Sequence, residues 1–230
     1  MVRLVRAASP QFLIDNRDRW TQRWIEILAG TRNGDWATQT AKRKLSAALI
    51  PMTRGKCAYC ESRLEVTSYT EIEHHIAKTV DPDSAFEWSN LFPMCRLCNG
   101  AKGDEDHEGM LLKPDVDDPQ ELFWLNPDTG ELEPITGLDR RSQNRVLETI
   151  RLCDLKRGAL CAKRLEAMDF VIHWLERTSM LLGGKLDAQL VKEWARICSP
   201  ETEYKFVIRH VLLTKGEPRL ASLDRTLFEG

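Results

Sequence analysis

Apolar residues recur at helical spacing near the start of the chain. Leu13, Trp20, Trp24, Ile27 and Leu28 follow the helix-starting pair Ser9-Pro10, and Gly30 with the Asn33-Gly34 turn ends the run. A second helix is expected over about residues 36–50, closed by Pro51 and Gly55, with Lys42-Arg43-Lys44 as a solvated face. The period then changes. Residues 68–74 (SYTEIEH) read as a strand, and after a loop a knuckle at Cys95 leads into a short helix. Pro114, Pro119, Pro127 and Pro134, interspersed with Asp115, Asp117, Asp118 and the Asp128-Thr129-Gly130 turn, mark an extended linker. It carries one hairpin, residues 122–125 opposite 132–135.

From Asp139 onward helical periodicity dominates. Val146, Leu147, Ile150 and Leu152 form one set, and Leu160, Leu165, Met168, Ile172 and Leu175 a second, which ends at Gly183-Gly184. Trp194 with Ile197, and Phe206, Val207, His210 and Val211, mark two shorter helices on either side of Ser199-Pro200-Glu201. The expected organisation is an N-terminal helical segment (1–52), a motif-bearing module (53–110), a linker with a hairpin (111–137) and a C-terminal helical domain (138–230).

A length of 230 residues, 42% hydrophobic and 30% charged, suits a small module plus a helical domain. A net charge of -2 excludes a uniformly basic coat, so any nucleic-acid contact must use local patches. No apolar run approaches the roughly 20 residues that span a bilayer, so a membrane role has no support. Met1 to Ser9 is too short and too charged for a signal peptide, and a cytoplasmic location is expected. In that reducing compartment paired cysteines read as metal ligands, whereas the lone Cys153, Cys161 and Cys198 read as small buried hydrophobes.

Two Cys-x-x-Cys pairs, Cys57/Cys60 and Cys95/Cys98, can close a tetrahedral S4 shell around one structural Zn2+. The intervening 34 residues exceed a plain zinc ribbon, so the ion staples the ends of an inserted unit. That unit contains Glu73-His74-His75, a carboxylate and imidazoles suited to a second, hydrolytic site. A redox dithiol would need a thioredoxin-like pattern, which is absent.

Gly55-Lys-Cys57-Ala-Tyr59-Cys60-Glu61, Ile72-Glu73-His74, Trp88-Ser-Asn90-Leu91 and Cys95-Arg-Leu-Cys98-Asn99-Gly-Ala-Lys102-Gly103-Asp104 together resemble the HNH endonuclease motif. Within that superfamily the chain is most similar to the retron-associated, Septu-type (PtuB-like) subgroup. The dense match covers about residues 53–104 and extends loosely over most of the chain. The resemblance implies an α+β fold: a zinc-stapled ββα-metal (His-Me finger) module flanked by N-terminal helices and a C-terminal helical domain. It implies an endonuclease acting on DNA, or on RNA such as tRNA, leaving 5′-phosphate and 3′-hydroxyl ends, beside a PtuA-like ATPase partner in antiphage defence.

Residue by residue, the resemblance places Glu73 and Asn99 on one divalent cation, Mg2+ or Mn2+, with His74 as general base and Asn90 fixing the loop behind it. A regular strand would send Glu73 and His74 to opposite faces, so the strand is expected to terminate or bulge there. Some related nucleases use a His-His pair with roles shifted by one. Here Glu73 fills the ligand position, and His75 is expected to be a packing or phosphate-side residue. Ala77 stands where the family usually has proline. Asn99 has a competing reading as a helix cap, Asn90 as an ordinary loop hydrogen bond, and Lys102 as either a phosphate contact or a solvated lysine. His107, His173 and His210 show no partner spacing and read as surface or helix-packing residues. The alternative is a non-catalytic zinc-dependent nucleic-acid-binding or scaffold module. Arg63 and Lys78 are the only cations between Glu61 and Met94, which disfavours it.

Overall fold

A computed structural model describes residues 1, 3–64, 70–182, 188–197 and 199–215. Ser68, Gly183, Gly184 and Cys198 lie outside the described residues, as does the Trp194 side chain. The first apolar run forms two helices, α1 (Gln11–Ile14) and α2 (Arg17–Leu28), where one was expected. Asn16 makes the break: its side chain donates to the Phe12 carbonyl at 2.7 Å, competing with the helical backbone. α3 (Gln39–Leu49) starts at Thr38, whose side chain accepts from the Ala41 N–H.

β1 (Thr70–His74) pairs antiparallel with β2 (Leu91–Cys95), and α4 (Arg96–Lys102) follows without a loop. The second hairpin, β3 (Phe123–Leu125) with β4 (Leu132–Pro134), forms where the turn residues placed it. Its Gly130 has φ +70, and a Cβ there would lie 2.4 Å from the Cys161 carbonyl oxygen, so only glycine lets this turn seat on the helix behind it. α5 (Arg140–Leu152) begins at the Asp139 cap, whose carboxylate accepts from Arg141 N and Ser142 N. α6 (Gly158–Leu182), α7 (Ala188–Ile197) and α8 (Lys205–Lys215) complete the described helices.

Two apolar cores lie on opposite faces of the β1/β2 ribbon. One gathers Leu13, Trp24, Trp36, Leu45, Leu49, Phe86 and Leu91. The other runs from Cys57, Tyr59, Phe92 and Met94 through Phe123 and Leu132 to Val146, Val171 and Phe206. Adjacent Leu91 and Phe92 thus enter different cores, as the period-2 alternation of a strand requires. Cys153 and Cys161 are buried.

Candidate active site and metal centre

The thiols of Cys57, Cys60, Cys95 and Cys98 lie within 4.8 Å of one another, and Cys60 Sγ is 3.7 Å from Cys95 Sγ. A zinc tetrahedron with bonds of about 2.3 Å has edges of about 3.8 Å, so the donor set and spacing suit Zn2+. Glu61 at φ +63 turns the chain back after the first pair, and Ala58 N–H donates to the Pro93 carbonyl, tying that pair to β2. Arg157 Nη1 donates to Cys98 Sγ at 3.4 Å, placing a cation beside a sulfur cluster that becomes anionic on ligation. Burial pushes the Cys57 thiol up, whereas hydrogen bonding from Cys57 helps bring Cys95 down to about 7.

A polar cavity of about 240 Å³ opens between the end of β1 and α4, lined by Glu73, His74, Lys78, Asn99, Lys102 and Asp104 among others. β1 ends at His74 as expected, and no bulge is needed: the register runs unbroken to His74 opposite Leu91. Glu73 and His74 leave opposite faces of the strand yet both line this cavity.

His74 is buried in a T-shaped contact with Trp36, ring centroids 4.6 Å apart, and its Nε2 is 3.0 Å from the Ala85 carbonyl oxygen. A carbonyl only accepts, so Nε2 carries the proton and Nδ1 the lone pair. Burial, with Lys78 and Lys102 nearby, lowers the imidazole to about 3. Glu73 is raised to about 7, because burial outweighs Lys102.

Lys102 is not the solvated lysine that one reading made it, and it lines the cavity. It is buried in the last turn of α4, with Nζ 2.7 Å from Glu73 Oε1 and donating to the His74 carbonyl at 3.1 Å. That ion pair commits Glu73 Oε1 to Lys102. Asn99 lies inside α4 and so is no cap; its Nδ2 donates to Glu71 Oε2, leaving Oδ1 as the lone-pair end of the amide. The Glu73 carboxylate and the Asn99 amide oxygen, both lining this cavity, are hard oxygen donors of the kind Mg2+ or Mn2+ takes.

Asn90 is committed to its loop: Oδ1 accepts from Ile76 N at 2.7 Å, and Nδ2 donates to the Ile76 and Ser84 carbonyls at 3.0 and 3.1 Å. These bonds hold the segment around Ala77 in place of a proline's rigidity. His75 faces the other core, 3.4 Å from the Tyr59 hydroxyl, and is held near 3 by burial and His107. His107 is neither a surface nor a helix-packing residue. It is buried, with Nε2 2.6 Å from the His75 carbonyl oxygen. Glu71, Asp104 and Trp36 were missed as site neighbours. The two-residue spacing of Glu71 and Glu73 on one strand was the available signal, whereas nothing in the sequence pointed to Trp36.

Comparison with known proteins bears on this segment directly, because residues 57–105 match the family model for HNH endonuclease. The chain carries an HNH endonuclease domain. It is homologous to Septu protein PtuB: 27% identical over 227 residues to that of Bacillus thuringiensis, covering 94% of this chain and 84% of the relative. A second Septu protein PtuB, from Bacillus mycoides (strain KBAB4), is 30% identical over 178 residues, covering 63% of this chain and 60% of that protein's length. The HNH match contains all four cysteines, Glu73, His74, Asn90, Asn99 and Lys102. Among the described residues no helix is long and apolar enough to cross a membrane.

Proposed function

We propose that the chain is a metal-dependent endonuclease that hydrolyses phosphodiester bonds, and that it is the nuclease of an antiphage defence system. The observation that carries this reading is the meeting of Glu73, His74 and Asn99 on one polar cavity inside the HNH-matching segment. Homology to Septu protein PtuB supports the defence role.

In this reading His74 is the general base. The Ala85 carbonyl holds Nε2–H, which fixes the tautomer and leaves Nδ1 to take a proton from the attacking water. Burial keeps the ring neutral, so the Nδ1 lone pair is available. The Glu73 carboxylate and Asn99 Oδ1 would hold Mg2+ or Mn2+, which when bound screens the scissile phosphate and stabilises charge on the leaving oxygen. Lys102 balances Glu73 from within, and Asn90 keeps the His75–Ala77 loop in register with the base.

Zn2+ on the four cysteines staples the ββα-metal module, residues 53–110, between the segments at 1–52 and 111–230. The substrate is DNA, with RNA such as tRNA as the competing class. A PtuA-like ATPase docked on the flanking helices would position or restrain the nuclease in the cytoplasm. The test is cleavage of plasmid and of tRNA with Mg2+ or Mn2+ by wild type and His74→Ala. Loss of general-base assistance should slow cutting by about 10^2 to 10^4-fold while zinc content is retained and stability falls by only about 1–3 kcal/mol, the cost of the lost Ala85 hydrogen bond. Equal cleavage by the two proteins rejects His74 as the base, and no cleavage by wild type on either substrate returns the chain to a binding module.

A further inference from the structure

Glu71 stands two residues before Glu73, so both carboxylates leave the same face of β1, the face that α4 covers. On α4, Asn99 and Lys102 are three residues apart and share a helix face. Each partners one acid: Lys102 Nζ lies 2.7 Å from Glu73 Oε1, and Asn99 Nδ2 donates to Glu71 Oε2 at 2.5 Å. A primary amide has a donor end and an acceptor end, and a half-turn about its terminal bond exchanges them. A carboxylate accepts only, so Glu71 captures the nitrogen end. The oxygen end, which alone can ligate a hard cation, is thereby turned away from Glu71.

We propose that Glu71 is the positioning residue of this site: it sets the amide orientation of Asn99, so that Oδ1 and not the NH2 group faces the divalent cation, without ligating the ion itself. The inference rests on the cation site proposed above. With Glu71 removed, the amide is free to present N–H bonds to a cation, which repels it. A glutamine at position 71 can go further and hold Asn99 the wrong way round, by donating to its Oδ1.

The test is a double-mutant cycle read by Mn2+ binding, followed by the electron paramagnetic resonance signal of free Mn2+ on the zinc-loaded full chain without nucleic acid. In the Asn99 background, Glu71→Gln should weaken Mn2+ binding about 10- to 100-fold, the range in which partners of metal ligands act. In the Asn99→Asp background both ends of residue 99 are oxygen and orientation no longer matters, so the same change should have little effect. Equal losses in both backgrounds would mean that Glu71 supplies only charge, and no loss in either would mean that it supplies nothing; both results overturn the proposal. Glu71→Ala repeats the cycle should the glutamine variant not fold. Glu73→Gln separates the two levels of the argument. If it leaves Mn2+ binding unchanged, the cation site falls and this inference with it; if it abolishes binding while the cycle is additive, only the role of Glu71 falls.

Discussion

Replacing Lys102 with Met removes a buried ammonium and keeps an unbranched stem of similar volume. The side chains of Lys102 and Glu73 are 1% and 4% exposed, so solvent does not screen the loss. Removing one partner of such a pair typically destabilises by about 3–5 kcal/mol, unless the survivor can shed its charge. Glu73 can. In the wild type it titrates at about 7, against an ordinary 4.5, so the folded state holds its proton more tightly than the unfolded chain. Stability therefore falls as pH rises from about 4.5 to about 7 and then levels. Lys102 is the largest influence drawing that value down, so without it Glu73 titrates higher and the variant keeps losing stability above pH 7. The slope is at most about 1.4 kcal/mol per pH unit. Urea denaturation of both proteins at pH 5.5, 7 and 8.5 should show a modest gap at the lowest pH, widening by up to about 1.6 kcal/mol between pH 7 and 8.5 once the wild type's own loss of about 0.4 kcal/mol is subtracted. A gap independent of pH would refute the reasoning, since Lys102 would then be neutralising some group other than Glu73.

Mn2+ affinity should fall about tenfold between pH 8 and pH 6, because a carboxyl titrating at about 7 must lose its proton to ligate; calorimetry in buffers of different ionisation enthalpy should detect the released proton. A flat affinity over that interval contradicts the Glu73 assignment. Cys95→Ser should abolish stoichiometric zinc and collapse the module, seen as loss of zinc by mass spectrometry and a lowered melting temperature, and strong chelation of the wild type should mimic it. Full zinc retention in that variant would remove Cys95 from the ligand set.

The parts of this protein legible in its sequence are those set by local spacing. The Cys-x-x-Cys pairs announced the sulfur cluster because each pair acts within one turn, and the proline and Asp-Thr-Gly punctuation located the β3/β4 hairpin. Glu73 and His74 were found through motif density, and the cavity brings them together with Asn99. What stayed hidden depends on long-range packing. Lysine is a surface residue by default, and only the docking of α4 on β1 shows that Lys102 is buried against Glu73. His107 looked idle because its partner, the His75 carbonyl, lies 32 positions away. The break between α1 and α2 turns on one Asn16 hydrogen bond, which competes with a helix signal that was otherwise continuous.

The β1/β2 ribbon has a further consequence, because its two faces belong to different cores. His74 is seated by Trp36 and Ala85, which belong to the core of the N-terminal helices, whereas Glu73 is seated by α4 on the side of the sulfur cluster. Neighbouring residues in sequence are thus anchored in separate halves of the molecule. Under the proposed roles, damage beneath Trp36 should compromise proton abstraction and spare ion retention, and damage beneath α4 should do the reverse. A random mutant library should accordingly sort into two complementation-like classes divided by which side of a single five-residue strand the lesion underlies.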